Sequence, residues 1–206
     1  MRPDGFIYLD DLLAVKSMSK LNVDFAIIEH IVNNNDKKRF ELKEEQNVKL
    51  IRAVQGHSMT QVKTEELLTK ITNPFEYVQI IHGTYRDPLP LIMQTGLNRM
   101  GRNHSHLAIG LPGDGVISGM RASCQIVIEI NMTKAMQGPD KVPFWISSNK
   151  VVLSEGIADG SIPAAYFRYV LDFSSKLYVS QTPFDYICVF DFECTCSNTD
   201  AIKLNS

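Results

Sequence analysis

The stretch Tyr77-Val-Gln-Ile-Ile-His-Gly-Thr84 begins the part of the sequence in which short strand-like runs alternate with loops. Val78 to His82 predicts a β-strand that ends at Gly83, a residue type that lets a ligand come close to the backbone. Pro88 to Gly96 then predicts a short helix with Gly96 as its C-terminal cap. From Tyr77 onward, short apolar runs alternate with loops, which favours a sheet-rich region.

Further strands are predicted after this stretch, at His104 to Ala108, Gln125 to Ile130, Pro143 to Ile146 and Val151 to Leu153. Polar residues with side chains suited to ligands stand at the ends of these strands, where loops can meet a bound molecule. We therefore expect an α+β fold, with a lobe built around a split β-sheet over residues 75–172.

The chain before Tyr77 predicts a different lobe, residues 1–74. Phe6 to Leu13 predicts a short strand that leads into a helix, and Val23 to Val32 has apolar residues at helical spacing, with Asn22 or Asp24 as the cap. The next elements are a hairpin from Arg39 to Leu42 and Asn47 to Ala53, and a polar connection from Ser58 to Pro74. A helix followed by two strands suits a winged-helix-like lobe.

Composition limits the classes of function. The chain has 206 residues, 44% of them hydrophobic, and a net charge of -2, so RNA contacts would have to come from local basic patches. Lys37-Lys38-Arg39 is such a patch, although a solvated charged face is the simpler interpretation. The apolar runs are too short for a membrane span, and the four cysteines show no zinc spacing or disulfide pattern. We expect an intracellular monomer, in the cytoplasm or nucleus, with no membrane and no metal.

Several blocks set arginine, histidine and asparagine beside glycine or serine, a combination typical of anion-binding loops. The blocks are Asn35-Asp-Lys-Lys-Arg-Phe40, Ile51-Arg-Ala-Val-Gln-Gly-His-Ser58, His82-Gly-Thr-Tyr85, Gly101-Arg-Asn-His-Ser-His-Leu-Ala108, Ile117-Ser-Gly-Met-Arg121 and Ser147-Ser-Asn-Lys-Val-Val-Leu153. Together they resemble the RNA 2'-phosphotransferase family over about Asp4 to Tyr166. That family removes the splice-junction 2'-phosphate from tRNA and consumes NAD. The resemblance implies that the second lobe is similar to the ADP-ribosyltransferase fold.

The resemblance also implies a mechanism without a metal. The RNA 2'-phosphate attacks the nicotinamide ribose of NAD and expels nicotinamide, and a ribose hydroxyl of the adduct then attacks phosphorus, which releases RNA and a cyclic phosphate of ADP-ribose. Arg52 and Arg121 match two of the four essential residues of the family. The other two, an Arg-His pair in an Arg-His-Gly block, lie upstream of the segment aligned with Asp4-Gly-Phe, so we expect them to be absent and turnover to be slow.

Other residues are assigned by the same resemblance. His82 is expected to bind the adenosine ribose, with Gly83 and Thr84 beside it. Further NAD contacts are expected from Asn103, His104, His106, Ser147 and Asn149, and RNA contacts from His57, Lys37, Lys38 and Arg39. Strand alternation predicts that His104 and His106 share one face. Packed histidines and plain turn residues are the simpler interpretations of these positions.

Three alternatives remain open. The chain could transfer ADP-ribose onto a terminal phosphate of nucleic acid, or it could be a silent NAD- or RNA-binding module. A third alternative comes from the tail, residues 173–206. There, Phe184 to Cys196 resembles the first strand of DEDDh exonucleases of the histone-mRNA and small-RNA type, with Asp191 and Glu193 as its acidic pair. Two carboxylates do not complete a two-metal site, so nuclease activity is the weakest alternative.

Overall fold

The structure, a computed structural model, describes residues 1–111, 120–121 and 123–172, together with the backbone of 177–179. Helices and antiparallel strands are mixed along the chain, which confirms the α+β class. The tail from Phe184 to Cys196, including Asp191 and Glu193, lies outside the described residues.

The first part of the chain is a three-stranded sheet with helices packed on it, in the strand order β1-β3-β2. Its elements are β1 (Ile7–Tyr8), α1 (Leu9–Ala14), α2 (Lys16–Ser19), α3 (Phe25–Asn33), β2 (Phe40–Glu45) and β3 (Val48–Ala53). Of the two predicted caps, the structure selects Asp24, which accepts a hydrogen bond from the backbone N–H of Ile27 and so satisfies a donor at the start of α3. Leu9, Ile28 and Ile51 form the buried centre of this part.

The turn between β2 and β3 determines which residues face each other across the hairpin. Gln46 and Asn47 both have positive φ, 51° and 65°, the backbone of a two-residue type I′ turn. Because the turn is centred on these residues, Glu45 pairs with Val48, and four pairs further along Glu41 lies directly opposite Arg52.

Segment 58–74 is more ordered than the sequence pattern predicted. It contains α4 (Thr64–Leu67) and β4 (Thr69–Lys70), and β4 pairs with a strand that comes much later in the chain, at Trp145–Ile146. Val62, Leu68 and Ile71 are buried. The sequence pattern did not predict these elements, because the buried apolar residues stand among polar ones and give no sustained periodic signal. The division at residue 74 stays a prediction.

The second part contains two four-stranded antiparallel sheets, β4-β9-β10-β7 and β13-β12-β8-β5, and the pair β11-β6. Its elements are β5 (Ile81–Thr84), α5 (Leu89–Thr95), β6 (Leu97–Asn98), β7 (Ser105–Leu107), β8 (Ile126–Ile130), α6 (Met132–Gln137), β9 (Trp145–Ile146), β10 (Val152–Ser154), β11 (Ser161–Ile162), β12 (Phe167–Asp172) and β13 (Leu177–Val179). Ile81 and Ala108 exchange both backbone hydrogen bonds, at 2.9 and 2.7 Å. The strand that carries His82 therefore lies beside the strand that carries His106.

Strand β5 departs from its predicted bounds. It begins at Ile81, where pairing with Glu129 of β8 begins, and it continues through Gly83 to Thr84. Val78 is 96% exposed and stands outside the strand, so its β-branched side chain was a misleading signal. Gly96 ends α5 with a φ of 84°, as predicted.

The largest buried cluster lies in the second part and includes Leu107, Ile128 and Phe144, which are fully buried. These residues anchor strands whose ends carry the polar side chains of the candidate site. No helix of the described residues has the length and apolar character needed to cross a bilayer.

Candidate functional site

Arg52 is fixed at three points. Its Nε and Nη2 atoms donate to the same carboxylate oxygen of Glu41, at 2.9 and 2.8 Å, and its Nη1 donates to the backbone carbonyl of Asp4 at 2.9 Å. The guanidinium carbon lies 4.4 Å from the centre of the Phe6 ring, within cation–π distance. The Arg52 side chain is 15% exposed. A guanidinium held in this way cannot swing freely, so its remaining N–H groups have a defined direction.

The loop that follows Arg52 binds to the end of β7. His106 Nε2 lies 2.6 Å from the side-chain oxygen of Gln55. Asn103 donates twice to the loop, from its backbone N–H to the carbonyl of His57 at 2.9 Å and from its side-chain amide to the carbonyl of Met59 at 3.0 Å. These bonds bring the block around Arg52 against the block around His106, so two motifs from distant parts of the sequence form one surface.

Gly56 permits this contact through its backbone. Its φ of +88° is in the left-handed region, which residues with a side chain rarely adopt. The turn at Gly56 places Gln55 and His57 on either side of the bend, where Gln55 reaches His106 and the carbonyl of His57 reaches Asn103.

The hydrogen-bond partners define the protonation of His82. Its Nδ1 lies 2.9 Å from the backbone carbonyl of His106, and because a carbonyl only accepts, Nδ1 carries the proton. Burial lowers the pKa of His82, so the ring is neutral near pH 7, although the bond to the His106 carbonyl opposes this shift. Nε2 of His82 is consequently an acceptor, the form that can bind a hydroxyl group.

His106 is also neutral near pH 7. Burial, with the nearby charge of Arg102 as a smaller cause, lowers the pKa of His106 to about 4. Because the Gln55 oxygen only accepts, His106 Nε2 is the protonated nitrogen.

His104 is a buried structural residue in this arrangement. Its Nε2 lies 3.0 Å from the hydroxyl of Thr64, and that hydroxyl donates to Glu155 at 2.5 Å, so His104 donates to Thr64. Burial lowers the pKa of His104, with the Glu155 charge opposing the shift. His104 lies just before β7 and contacts Thr64, whereas His106 lies within β7 and contacts Gln55, so the predicted common face stays a prediction.

His57 lies beside Gly5 and close enough to Arg52 to sense its charge. Burial first, and Arg52 second, lower the pKa of His57. Its Nδ1 is buried without a hydrogen-bond partner among the described residues. A neutral histidine next to a fixed arginine is compatible with the predicted contact to RNA, which stays a prediction.

Gly83 lies under side chains from the loop before β8. A Cβ atom at this position would overlap the Met120 side chain and would stand 3.1 Å from Cys124 Cβ. In this conformation Met120 occupies the space that the missing side chain of Gly83 leaves open. The hydroxyl-bearing Thr84 beside it is buried.

Arg121 stands in a different setting from Arg52. It is exposed, and its side chain hydrogen-bonds to the hydroxyl of Tyr85, the residue that follows β5. Ser123, whose hydroxyl is 2.9 Å away, and Arg121 together lower the pKa of Tyr85. Arg121 therefore lies at the end of the strand that carries His82.

The remaining predicted residues lie where the two parts of the chain touch. Ser147 and Asn149 stand in the turn between β9 and β10, where Ser147 donates to the Asn149 side-chain oxygen at 2.7 Å. The Asn149 amide donates to the backbone carbonyl of Lys37 at 2.9 Å. Lys38 and Arg39 are exposed. Turn formation thus explains these two polar side chains, and their NAD contacts stay predictions.

Sequence reasoning missed Glu41 and Gln55. Glu41 could have been found from the Gln46-Asn47 turn, because a two-residue turn centred there pairs position 41 with position 52. Gln55 gave no signal of its own, because its partner His106 is 51 positions away. Over the described ranges no group of three or more His, Cys, Asp or Glu residues could hold a metal ion.

Comparison with known proteins shows consistent similarity. Residues 1–156 match the family described as RNA 2'-phosphotransferase, Tpt1 / KptA family. The chain is 43% identical over 171 residues to "tRNA 2'-phosphotransferase 1" of Danio rerio, covering 81% of this chain and 74% of the relative. It is 34% identical over 166 residues to "Probable RNA 2'-phosphotransferase" of Fusobacterium nucleatum, covering 81% and 84%. It is 42% identical to "Putative tRNA 2'-phosphotransferase" of Schizosaccharomyces pombe over 82% of this chain, but it spans only 45% of that relative.

Proposed function

The chain belongs to the RNA 2'-phosphotransferase, Tpt1 / KptA family, and on this premise we propose that it removes an internal 2'-phosphate from RNA, with tRNA as the substrate class, and consumes NAD. The relatives named as tRNA 2'-phosphotransferases support the substrate.

One observation carries the proposal. The loop from Gln55 to Met59 connects the fixed Arg52 to the strand end at Asn103 and His106, and the His106 carbonyl in turn orients His82. A transfer between an RNA phosphate and NAD needs both substrates at contact distance, since holding two reactants together removes much of the entropic barrier. The hydrogen bonds between the two motifs give the chain a rigid connection between the proposed subsites.

The residues have separate roles in this proposal. Arg52 and Arg121 bind phosphate oxygens and stabilise the charge that develops in transfer. The neutral His82 accepts a hydrogen bond from a ribose hydroxyl of NAD at Nε2, and Gly83 and Thr84 line the same strand. Asn103, His104 and His106 support this site from β7 and the residues just before it, Ser147 and Asn149 contribute from the β9–β10 turn, and His57 faces the RNA phosphate.

NAD supplies the electrophilic ribose carbon. A 2'-phosphate oxygen forms a bond to that carbon, and the bond to nicotinamide breaks. A ribose hydroxyl of the adduct then forms a bond to phosphorus, and the bond from phosphorus to the RNA 2'-oxygen breaks. The RNA hydroxyl leaves with a proton, and ADP-ribose leaves as a cyclic phosphate. No metal takes part in this proposal.

The two parts of the chain have lobe identities that we propose on the same basis. Helix α3 followed by the β2–β3 hairpin supports a winged-helix-like RNA lobe. The two sheets that meet at Ile81 and Ala108 support an ADP-ribosyltransferase-like split sheet. Lys37, Lys38 and Arg39 would contact the RNA backbone beside the site. We expect the chain to act as a monomer in the cytoplasm or nucleus.

The test is a transfer reaction with a short RNA that carries one radiolabelled internal 2'-phosphate. With NAD present, we expect the label to leave the RNA in a cyclic phosphate of ADP-ribose, together with one nicotinamide per phosphate. ADP-ribose attached to a terminal phosphate of the RNA, with the label still at the internal 2'-position, would indicate transfer to nucleic acid instead. Release of neither product at enzyme excess would refute the proposal.

A binding measurement tests the NAD subsite separately. NAD and ADP-ribose should raise the thermal midpoint, because a ligand that binds only the folded state stabilises it. His82→Ala should lose most of that increase, since it removes the ribose acceptor. His30→Ala, which changes an exposed histidine on α3, is the matched control and should keep the increase. An equal increase in both variants would remove His82 from the NAD site.

A further inference from the structure

Glu41 lies opposite Arg52 and makes the strongest contacts with it. The two residues are a direct cross-strand pair of the β2–β3 hairpin, and one Glu41 oxygen accepts from both Nε and Nη2 of Arg52. Such charge-assisted bonds are shorter and stronger than bonds between neutral groups. Glu41 therefore determines the plane and rotation of the guanidinium.

The other contacts of Arg52 do not determine that rotation alone. The Asp4 carbonyl accepts only from Nη1, and the Phe6 ring contacts a face of the guanidinium without selecting an in-plane direction. Without Glu41, the guanidinium could pivot about the Nη1 bond. With Glu41 present, one hydrogen on Nη1 and one on Nη2 remain for a ligand, and the bonds to Glu41 and Asp4 fix their directions.

The hydrogen bonds of Glu41 orient Arg52, but its negative charge acts against the binding of RNA. A carboxylate beside the phosphate subsite repels the phosphate, and at 39% exposure this repulsion is partly screened by solvent. Glu41 should thus weaken RNA binding slightly while it aims Arg52. A residue whose only role was to tighten RNA binding would not carry a negative charge at this position.

We propose that Glu41 is a positioning residue that aims Arg52 at the transferred 2'-phosphate and raises the rate of transfer without tightening RNA binding. This inference rests on the proposed function. For this role the acceptor oxygen of the Glu41 side chain is essential and its negative charge is not, because the orientation of Arg52 depends on the hydrogen-bond acceptor.

Three variants test it: Glu41→Ala, Glu41→Gln and the control Glu44→Gln. Glu41→Gln keeps an acceptor oxygen and removes the charge, and Glu44 is exposed on the same strand, opposite Lys49. Under single-turnover conditions, with the protein in saturating excess over labelled RNA and with saturating NAD, Glu41→Ala should slow transfer on the order of 10- to 100-fold. Its KM for RNA should be unchanged or lower. Glu41→Gln should recover most of the rate, and Glu44→Gln should equal the parent chain.

A purely structural role for Glu41 gives a different pattern. It would lower the thermal midpoint and the fraction of active protein, while the rate per active site and the KM stayed constant. Equal rates per active site in the parent chain and Glu41→Ala would overturn the inference, and so would a Glu41→Gln variant as slow as Glu41→Ala.

A second readout keeps this inference separate from the proposed function. The Arg52 Nε–H should show restricted motion by ¹⁵N relaxation in the parent chain and in Glu41→Gln, and free motion in Glu41→Ala. If the parent chain transfers no phosphate, the proposed function fails, and the relaxation data alone decide whether Glu41 fixes Arg52. An Arg52 Nε–H that remains restricted in Glu41→Ala would show that Asp4 and Phe6 suffice and that the inference is wrong.

Discussion

The two arginines proposed to bind phosphate stand in contrasting surroundings. Arg52 is mostly buried and contacts Glu41, Asp4 and Phe6, whereas Arg121 is exposed and hydrogen-bonds to Tyr85. A guanidinium with several fixed partners has already lost its rotational freedom before the ligand arrives, while an exposed one loses it on binding. Arg52 can therefore offer hydrogen-bond donors whose direction is fixed before the ligand binds, whereas Arg121 offers mainly its positive charge.

The largest effect should come from replacing each arginine by lysine. Lysine keeps the charge but lacks the planar set of donors, so Arg52→Lys should lose the bonds to Glu41 and Asp4 and slow transfer on the order of 100-fold, whereas Arg121→Lys should slow it about 10-fold. Single-turnover rates, with the protein in saturating excess over labelled RNA and with saturating NAD, would measure both. Arg168→Lys, which changes an exposed arginine bonded to Glu129, is the control. Equal losses in the two variants would show that the fixed setting of Arg52 and the exposed setting of Arg121 do not differ in their effect on transfer.

A smaller effect should appear in the pH dependence of stability, through His106, which contacts the loop that follows Arg52. The pKa of His106 is lowered to about 4 in the folded chain from an ordinary value of 6.5, so the unfolded chain binds more protons between these values. The contribution of His106 is thus complete above pH 6.5 and is lost as the pH falls towards 4, by at most about 3 kcal/mol.

Urea unfolding at pH 7 and pH 4.5 would measure this effect. In His106→Gln the decrease in the free energy of unfolding between the two pH values should be smaller than in the parent chain. His30→Gln, at an exposed histidine, should behave like the parent chain. The same decrease in all three proteins would show that burial of His106 does not contribute to the pH dependence of stability.

The smallest effect should come from Tyr85→Phe. This variant removes the hydroxyl that contacts Arg121 and Ser123. Because Arg121 is exposed and solvent competes for its donors, we expect transfer to change about 2-fold or less. Parallel single-turnover reactions of the two proteins with the same labelled RNA would resolve a rate change of this size. A loss as large as that of Arg52→Lys would mean that Tyr85 fixes Arg121 as firmly as Glu41 fixes Arg52.

Several elements could be predicted from the sequence because their signals are local. The Asp24 cap, the apolar spacing of α3 and the glycine that ends α5 all act within one or two turns of chain. The arginine and histidine blocks were also visible in the sequence, and they led to the family. The elements within segment 58–74 could not be predicted, because β4 is defined by its pairing with the distant strand Trp145–Ile146.

The sequence by itself determined the α+β class, the main elements of the first part and the set of candidate residues. Only the tertiary structure decided which of these residues meet. It paired Glu41 with Arg52, brought Gln55 to His106 across 51 positions, and gave His82 and His106 protonation states through their partners. The physical reason is that hydrogen bonds and burial depend on distance in space, and sheet pairing brings together residues whose local sequences carry no record of each other.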